Sequence, residues 1–156
     1  MFLGKFIGFI DSVLTKKIWV NKGRNVEIRR HCFFDRPKQV FLSDGTFVNR
    51  NCQFHIGAND SVKIKIGKNV FIGMNVSFIC VSHQIGNLSK RAGQNVYESI
   101  NVEDGVWIGA NSTILPGVKL GKGSIVAAGA VVTRNVEANC IVGGGTSSHL
   151  KTYKIA

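Results

Sequence analysis

The chain has 156 residues with a hydrophobic fraction of 44%, enough for one domain with a real core. Eighteen glycines stand against two prolines, which excludes a collagen-like or proline-rich disordered chain and points to many ordered tight turns. Lys and Arg number 20 against nine Asp and Glu, a net charge of +11. That balance fits an anionic partner or a solvated basic surface, while no apolar run reaches the ~20 residues of a membrane-spanning helix.

In chain order, residues 1–20 come first. Phe2, Phe6, Phe9, Ile10, Val13 and Leu14 follow a helical face, interrupted by Lys5, Asp11, Lys16 and Lys17. The stretch lacks the basic start and small-residue cleavage site of a signal peptide. It predicts a short helix or arm that packs on the body or on another subunit. Shallow peripheral contact with an anionic membrane is the lesser alternative.

A six-residue period follows. From Val102 the chain reads VEDGVW, IGANST, ILPGVK, LGKGSI, VAAGAV and VTRNVE, always opening on Val, Ile or Leu. The same register holds at Ile66, Ile72 and Phe78, and more loosely at Leu42, Val48 and Phe54. It breaks at Asp60. Six residues suit one short strand and one corner, with the aliphatic residue inward and Gly or Asn in positive-φ corner conformations. Three such strands close a triangular coil of about 18 residues, and coils stack at roughly 4.8 Å. The repeat lapses from His83 to Ser99, a polar stretch expected to loop out of one corner. Cys32, Cys52, Cys80 and Cys140 form no C-x-x-C pair. They read as buried thiols of a reducing compartment, which predicts a cytoplasmic protein without a metal knuckle.

The period, together with Val106-Trp107-Ile108-Gly109, Asn111, Ile114-Leu115-Pro116-Gly117-Val118 and Ala128 to Val136, resembles the hexapeptide-repeat acyltransferases. Galactoside, maltose and related sugar O-acetyltransferases are most similar. The resemblance covers roughly residues 40–145. It implies an all-β chain: a left-handed parallel β-helix over 21–145 with a protruding loop at about 84–99, the helix or arm over 1–20, and a tail over 146–156. It also implies a homotrimer with sites shared between subunits. Periodicity alone would not give the handedness, which opposes the usual crossover preference.

Four histidines are present: His31, His55, His83 and His149. His83 joins an apolar strand to the polar loop, where the resemblance places the catalytic base. A hydroxyl is a poor nucleophile at neutral pH, and an imidazole can take its proton during attack on the acetyl-CoA thioester. No acyl-enzyme is needed. Cys80 and His83 would point to opposite faces of an extended strand, so a Cys–His pair is disfavoured. Positions matching donor contacts are Trp107, Gly109, Ala110, Ala128, Thr133, Arg134 and Lys151. The tail departs from the family's Gly-x-Pro-Ala-Arg/Lys ending: its proline is absent, so Lys151 and Lys154 stand in for the basic position. Asn51, Glu98 and Trp107 are the acceptor candidates, with Asn49 the neighbouring choice to Asn51.

These readings predict transfer of acetyl from acetyl-CoA, as co-substrate, to a sugar hydroxyl. A nucleotide- or lipid-linked sugar of surface-polysaccharide or lipopolysaccharide biosynthesis is the expected acceptor, with no metal and no nucleic acid. The alternatives are N-acetylation of an amino-sugar nucleotide and a non-catalytic β-helix scaffold. Serine acetyltransferase would need a helical N-terminal domain. A hexapeptide-repeat carbonic anhydrase would need two histidines five residues apart, and none are closer than His31 and His55.

Overall fold

The computed structural model describes residues 20–145 and 148–152, the latter as backbone only. Apart from buried Val20, the expected N-terminal helix or arm lies outside the described residues. Most of the described residues form a three-sided prism of short parallel strands, the left-handed β-helix that the resemblance implied. Face one stacks Asn21–Lys22, Val40–Leu42, Ile64–Ile66, Ile100–Val102 and Lys119–Leu120. Face two stacks Glu27–Ile28, Phe47–Val48, Phe71–Ile72, Trp107–Ile108, Ile125–Val126 and Cys140–Gly143. Face three stacks Phe33–Phe34, Gln53–His55, Ser77–Ile79, Thr113–Ile114 and Val131–Val132. The strand Ser148–Thr152 turns back antiparallel on Cys140–Gly143, so part of the expected tail is ordered backbone at the end of face two.

Every aliphatic or aromatic residue of the predicted register is buried: Leu42, Val48, Phe54, Ile66, Ile72, Phe78, Val102, Ile108, Ile114, Leu120, Val126 and Val132. The core is therefore a set of ladders in which each residue packs on its equivalent in the next coil. Phe34, Phe54 and Phe78 continue one ladder as stacked rings, with centroids 4.4 and 4.8 Å apart. The corners bend as the sequence requires. Between faces two and three, His31, Asn51, Asn75, Asn111 and Gly129 all have positive φ. Asparagine tolerates this conformation and glycine adopts it freely. A second column runs between faces one and two through Asn25, Gly45, Asn69, Gly105, Gly123 and Asn139.

Coil length is not uniform. Val102 pairs with Leu120, eighteen residues on. Leu42 pairs with Ile66, twenty-four on, and Ile66 with Val102, thirty-six on. Lys22 pairs with Leu42, twenty on. All the additional residues leave the prism at the edge between faces three and one. The first coil places a short 3-10 turn there, Pro37–Gln39. The second places the stretch around Asp60, explaining why the register breaks there yet returns by Ile66. The third places the residues after Cys80 there. These last were expected as a loop at about 84–99. They form instead an antiparallel hairpin, Val81–Ile85 with Ala92–Tyr97, whose alternation is too polar to read as a strand. The repeat also begins earlier than its resemblance: Val20 to Gln39 complete a full coil without a six-residue pattern.

Candidate active site

His83 stands on the outgoing strand of the hairpin, opposite Asn95. The pairing shifts between His83 and Ile85, a bulge of the kind that re-aims side chains. Its Nδ1 lies 3.3 Å from the Gly93 carbonyl. With Nδ1–H donating to that carbonyl, Nε2 is the nitrogen left to accept a proton. The ring is exposed. The base of the hairpin is fixed by Tyr97, whose ring lies where a Cβ on Gly57 would stand. The Gly93 carbonyl is a partner that sequence reading missed, because a backbone acceptor ten residues away leaves no residue-type signal.

Cys80, which immediately precedes the hairpin, is fully buried. Burial pushes its thiol up to about 12, so it stays protonated and unreactive at neutral pH. Cys52 and Cys140 are also buried, whereas Cys32 is half-buried. Glu98 does not reach the His83 ring. Its carboxyl lies over Gly117, where any Cβ would collide with it. Thr133 and Arg134 follow the last strand of face three and are exposed. His83, Glu98, Thr133 and Arg134 thus all belong to the edge between faces three and one.

Asn51, Gly109, Ala110 and Ala128 lie across face three, on the edge between faces two and three. Asn51 is the positive-φ corner residue of the second coil, and its N–H donates to the Arg30 carbonyl at 3.1 Å. Gly109 serves coil packing, since a Cβ there would meet the Ala128 backbone. Ala110 and Ala128 occupy the same corner in successive coils. Gly129 beside them has open space where a side chain would project. This run carries no charged side chain. Trp107 is 53% exposed on face two, so it is a surface aromatic rather than a corner filler. Phe47 and Phe71 stack beside it, with centroids 5.0 Å apart. Lys151 pairs with Ile141 through its backbone, and Lys154 lies outside the described residues.

One chain therefore does not assemble the predicted set. It carries His83 on one edge and the Asn51 and Ala110 groups on the next. Among the described residues no group of three or more His, Cys, Asp or Glu could hold a metal ion, and no helix is long and apolar enough to cross a membrane.

Two family models match the chain: the bacterial transferase hexapeptide (six repeats) over residues 99–134, and the hexapeptide repeat of succinyl-transferase over 63–87. Galactoside O-acetyltransferase of Lactococcus lactis is 30% identical over 125 residues, covering 76% of this chain and 58% of that protein. The Escherichia coli galactoside O-acetyltransferase is 26% identical over 131 residues, covering 84% and 63%. The chain thus spans less than two thirds of the curated relatives it matches. A hexapeptide-repeat containing acetyltransferase from Vibrio cholerae, solved in complex with acetyl-CoA, superposes with a TM-score of 0.81 at 28% identity, covering 97% of this chain and 85% of that one. On the repeat, the coil geometry and these matches together, the chain belongs to the hexapeptide-repeat acetyltransferase family.

Proposed function

We propose that this protein is an acetyl-CoA-dependent O-acetyltransferase of a sugar hydroxyl, acting in the cytoplasm on a precursor of surface polysaccharide or lipopolysaccharide. The observation that carries the reading is His83 itself: an exposed imidazole on a bulged hairpin, with Nδ1 at the Gly93 carbonyl. His83 takes the hydroxyl proton on Nε2 as the acceptor oxygen bonds to the thioester carbonyl carbon. It then returns that proton to the departing thiolate as the C–S bond breaks. The bases and the donor track lie on different edges of one chain, which supports a homotrimer with each site built by two neighbours. Ala110 and Ala128 line the donor arm, Trp107 flanks the thioester end, and Thr133, Arg134 and Lys151 are the donor positions of the other edge and the final strand. Asn51 holds the acceptor.

Calorimetric titration with acetyl-CoA, on wild type and His83→Ala, tests this. The expected result is saturable binding near one site per chain that survives the substitution, with turnover lost by about 10²-fold or more. A folded protein that does not bind acetyl-CoA is instead a scaffold. Acetylation of an amino-sugar amine but of no sugar hydroxyl overturns O-transfer.

A further inference from the structure

The three faces present different chemistry to solvent. Face one is cationic, with Phe41, Lys65, Asn101 and Lys119 in one outward column. Face two is apolar, with Phe47, Phe71, Trp107, Ile125 and Ile141 in register. The edge between them alternates in sign through Arg24, Asp44, Lys68, Asp104 and Lys122. The Asp44 carboxylate accepts from the Arg24 N–H at 2.8 Å and from its guanidinium at 2.9 Å, and Asp104 accepts from the Lys68 N–H at 2.7 Å. That edge neutralises itself. Face three is neither cationic nor apolar. Its strands hold no Lys, Arg, Asp or Glu, and its central column reads Phe33, Gln53, Ser77, Thr113 and Val131. Asp35, at its margin, is already engaged: its carboxylate accepts from the Ile56 and Gly57 N–H groups at 2.9 Å.

One row on face three is ordered in advance. Asn51, Gln53 and His55 alternate with the buried Cys52, Phe54 and Ile56, so all three project outward. The Gln53 Oε1 can only accept, so its 2.8 Å contact is a bond donated by the His55 Nε2–H. That fixes the imidazole tautomer. It leaves His55 Nδ1 as an acceptor and the Gln53 amide NH2 as a donor, a complementary pair held in place. Phe33 lies one coil away, in register with Gln53. Its ring stands 5.4 Å from the His55 ring, and the residue is 51% exposed. An apolar plate is thus left in water beside two polar groups. The row also leads to the base: the His55 carbonyl accepts from the N–H of Cys80, the residue before the His83 hairpin, at 2.8 Å.

Building on the acetyltransferase reading, we infer that Phe33, Gln53 and His55 form a subsite for an uncharged sugar ring and select the acceptor. A pyranose has an apolar C–H face and a rim of hydroxyls, each able to donate and accept. Its C–H face lies on the Phe33 ring. One hydroxyl accepts from the Gln53 amide, and its neighbour donates to His55 Nδ1. A few polar groups of fixed orientation beside an aromatic surface are the usual means of orienting a small ligand. The absence of Lys and Arg from these strands suits a neutral ring and gives an anionic group no counter-charge. The three side chains position the ring and take no part in proton transfer.

The test titrates methyl β-galactoside, methyl β-glucoside and methyl α-mannoside into the full-length protein, with and without CoA, and reads binding by saturation-transfer NMR. At least one glycoside is expected to bind, with saturation reaching its C–H face. Binding should weaken about tenfold in Phe33→Ala and in Gln53→Leu. It should be largely kept in Phe33→Tyr and unchanged in Phe41→Ala, an exposed ring on face one. For a glycoside that is acetylated, the same substitutions should raise KM and leave kcat within about twofold. No binding of any glycoside, binding indifferent to both Phe33→Ala and Gln53→Leu, or a Phe33→Ala protein whose subunits fall apart overturns the inference. The last result would make face three a contact between copies of the chain. A protein that binds a glycoside through Phe33 but ignores CoA loses the acetyltransferase reading and keeps this one. A protein that acetylates a glycoside with KM indifferent to Phe33 and Gln53 keeps the acetyltransferase reading and loses this one.

Discussion

The coils from Val102 onward and the coils before it share one cross-section but not one length. The coil from Val102 takes eighteen residues and the one from Leu120 sixteen, whereas the earlier ones take twenty, twenty-four and thirty-six. Everything extra exits at one edge. The pairing of the three faces continues past each excursion, because a ladder needs only that the chain re-enter in register. Stability therefore resides in the stacked faces, while the residues with chemical freedom sit at the exit. This separation can be attacked from either side.

The largest effect should come from the exit. Replacing the hairpin tip 84–92 by a short turn, or substituting His83→Ala, is expected to cost at least about 10² in turnover, with the melting temperature scarcely moved. A large drop in stability from either change would mean the hairpin is part of the stack. Next come the ladders. Ile108→Ala removes a fully buried side chain between Ile72 and Val126. It should cost about 2–5 kcal/mol in denaturant unfolding. A cost below 1 kcal/mol would mean neighbouring coils close the gap. Gly109→Ala probes coil spacing, because the new Cβ meets the Ala128 backbone and forces the two coils apart. Destabilisation of about 1–3 kcal/mol is expected, and a neutral result would show that the spacing yields.

The smallest effect lies on the self-neutralised edge. The Arg24 N–H and guanidinium hold the Asp44 carboxyl below the usual carboxylate range. A depressed native pKa means that the stabilisation is present above the ordinary carboxylate pKa and fades as pH falls through the native one. Asp44→Asn should flatten that acidic limb of the stability curve and leave neutral pH nearly untouched, Asp44 being a surface group. An unaltered acidic limb would show the pairing to be incidental.

The period from Leu42 to Val132 was legible because each inward position is filled by one residue class and each corner by Gly or Asn. The first coil was not. Its ladder uses Ile28, Cys32 and Phe34 across corners made by Arg and His, and no local pattern marks such a mixture. The hairpin escaped notice for a related reason: exposed on both sides, it has no apolar alternation to reveal a strand. His83 was singled out by its place after an apolar strand. Its orienting partner is a backbone carbonyl, which composition does not encode. Gln53 and His55 stood in plain view. Only the coil register shows that Phe33 lies beside them, because twenty residues is not the period of the repeat.

The hairpin that carries His83 has consequences for timescale. Two strands outside a sheet hold together only marginally in water. This pair is anchored at Tyr97 and Gly57 and projects Ile85 and Leu88 into solvent at its far end. Amide exchange should therefore grade along it, slow at Val81 and Val96 and fast toward Asn87, while the stacked faces exchange only on global opening. The imidazole sits at the midpoint of that gradient, so its alignment is renewed with each opening and closing of the ribbon. The His83 ring is therefore expected to move on a faster timescale than the side chains of the prism beneath.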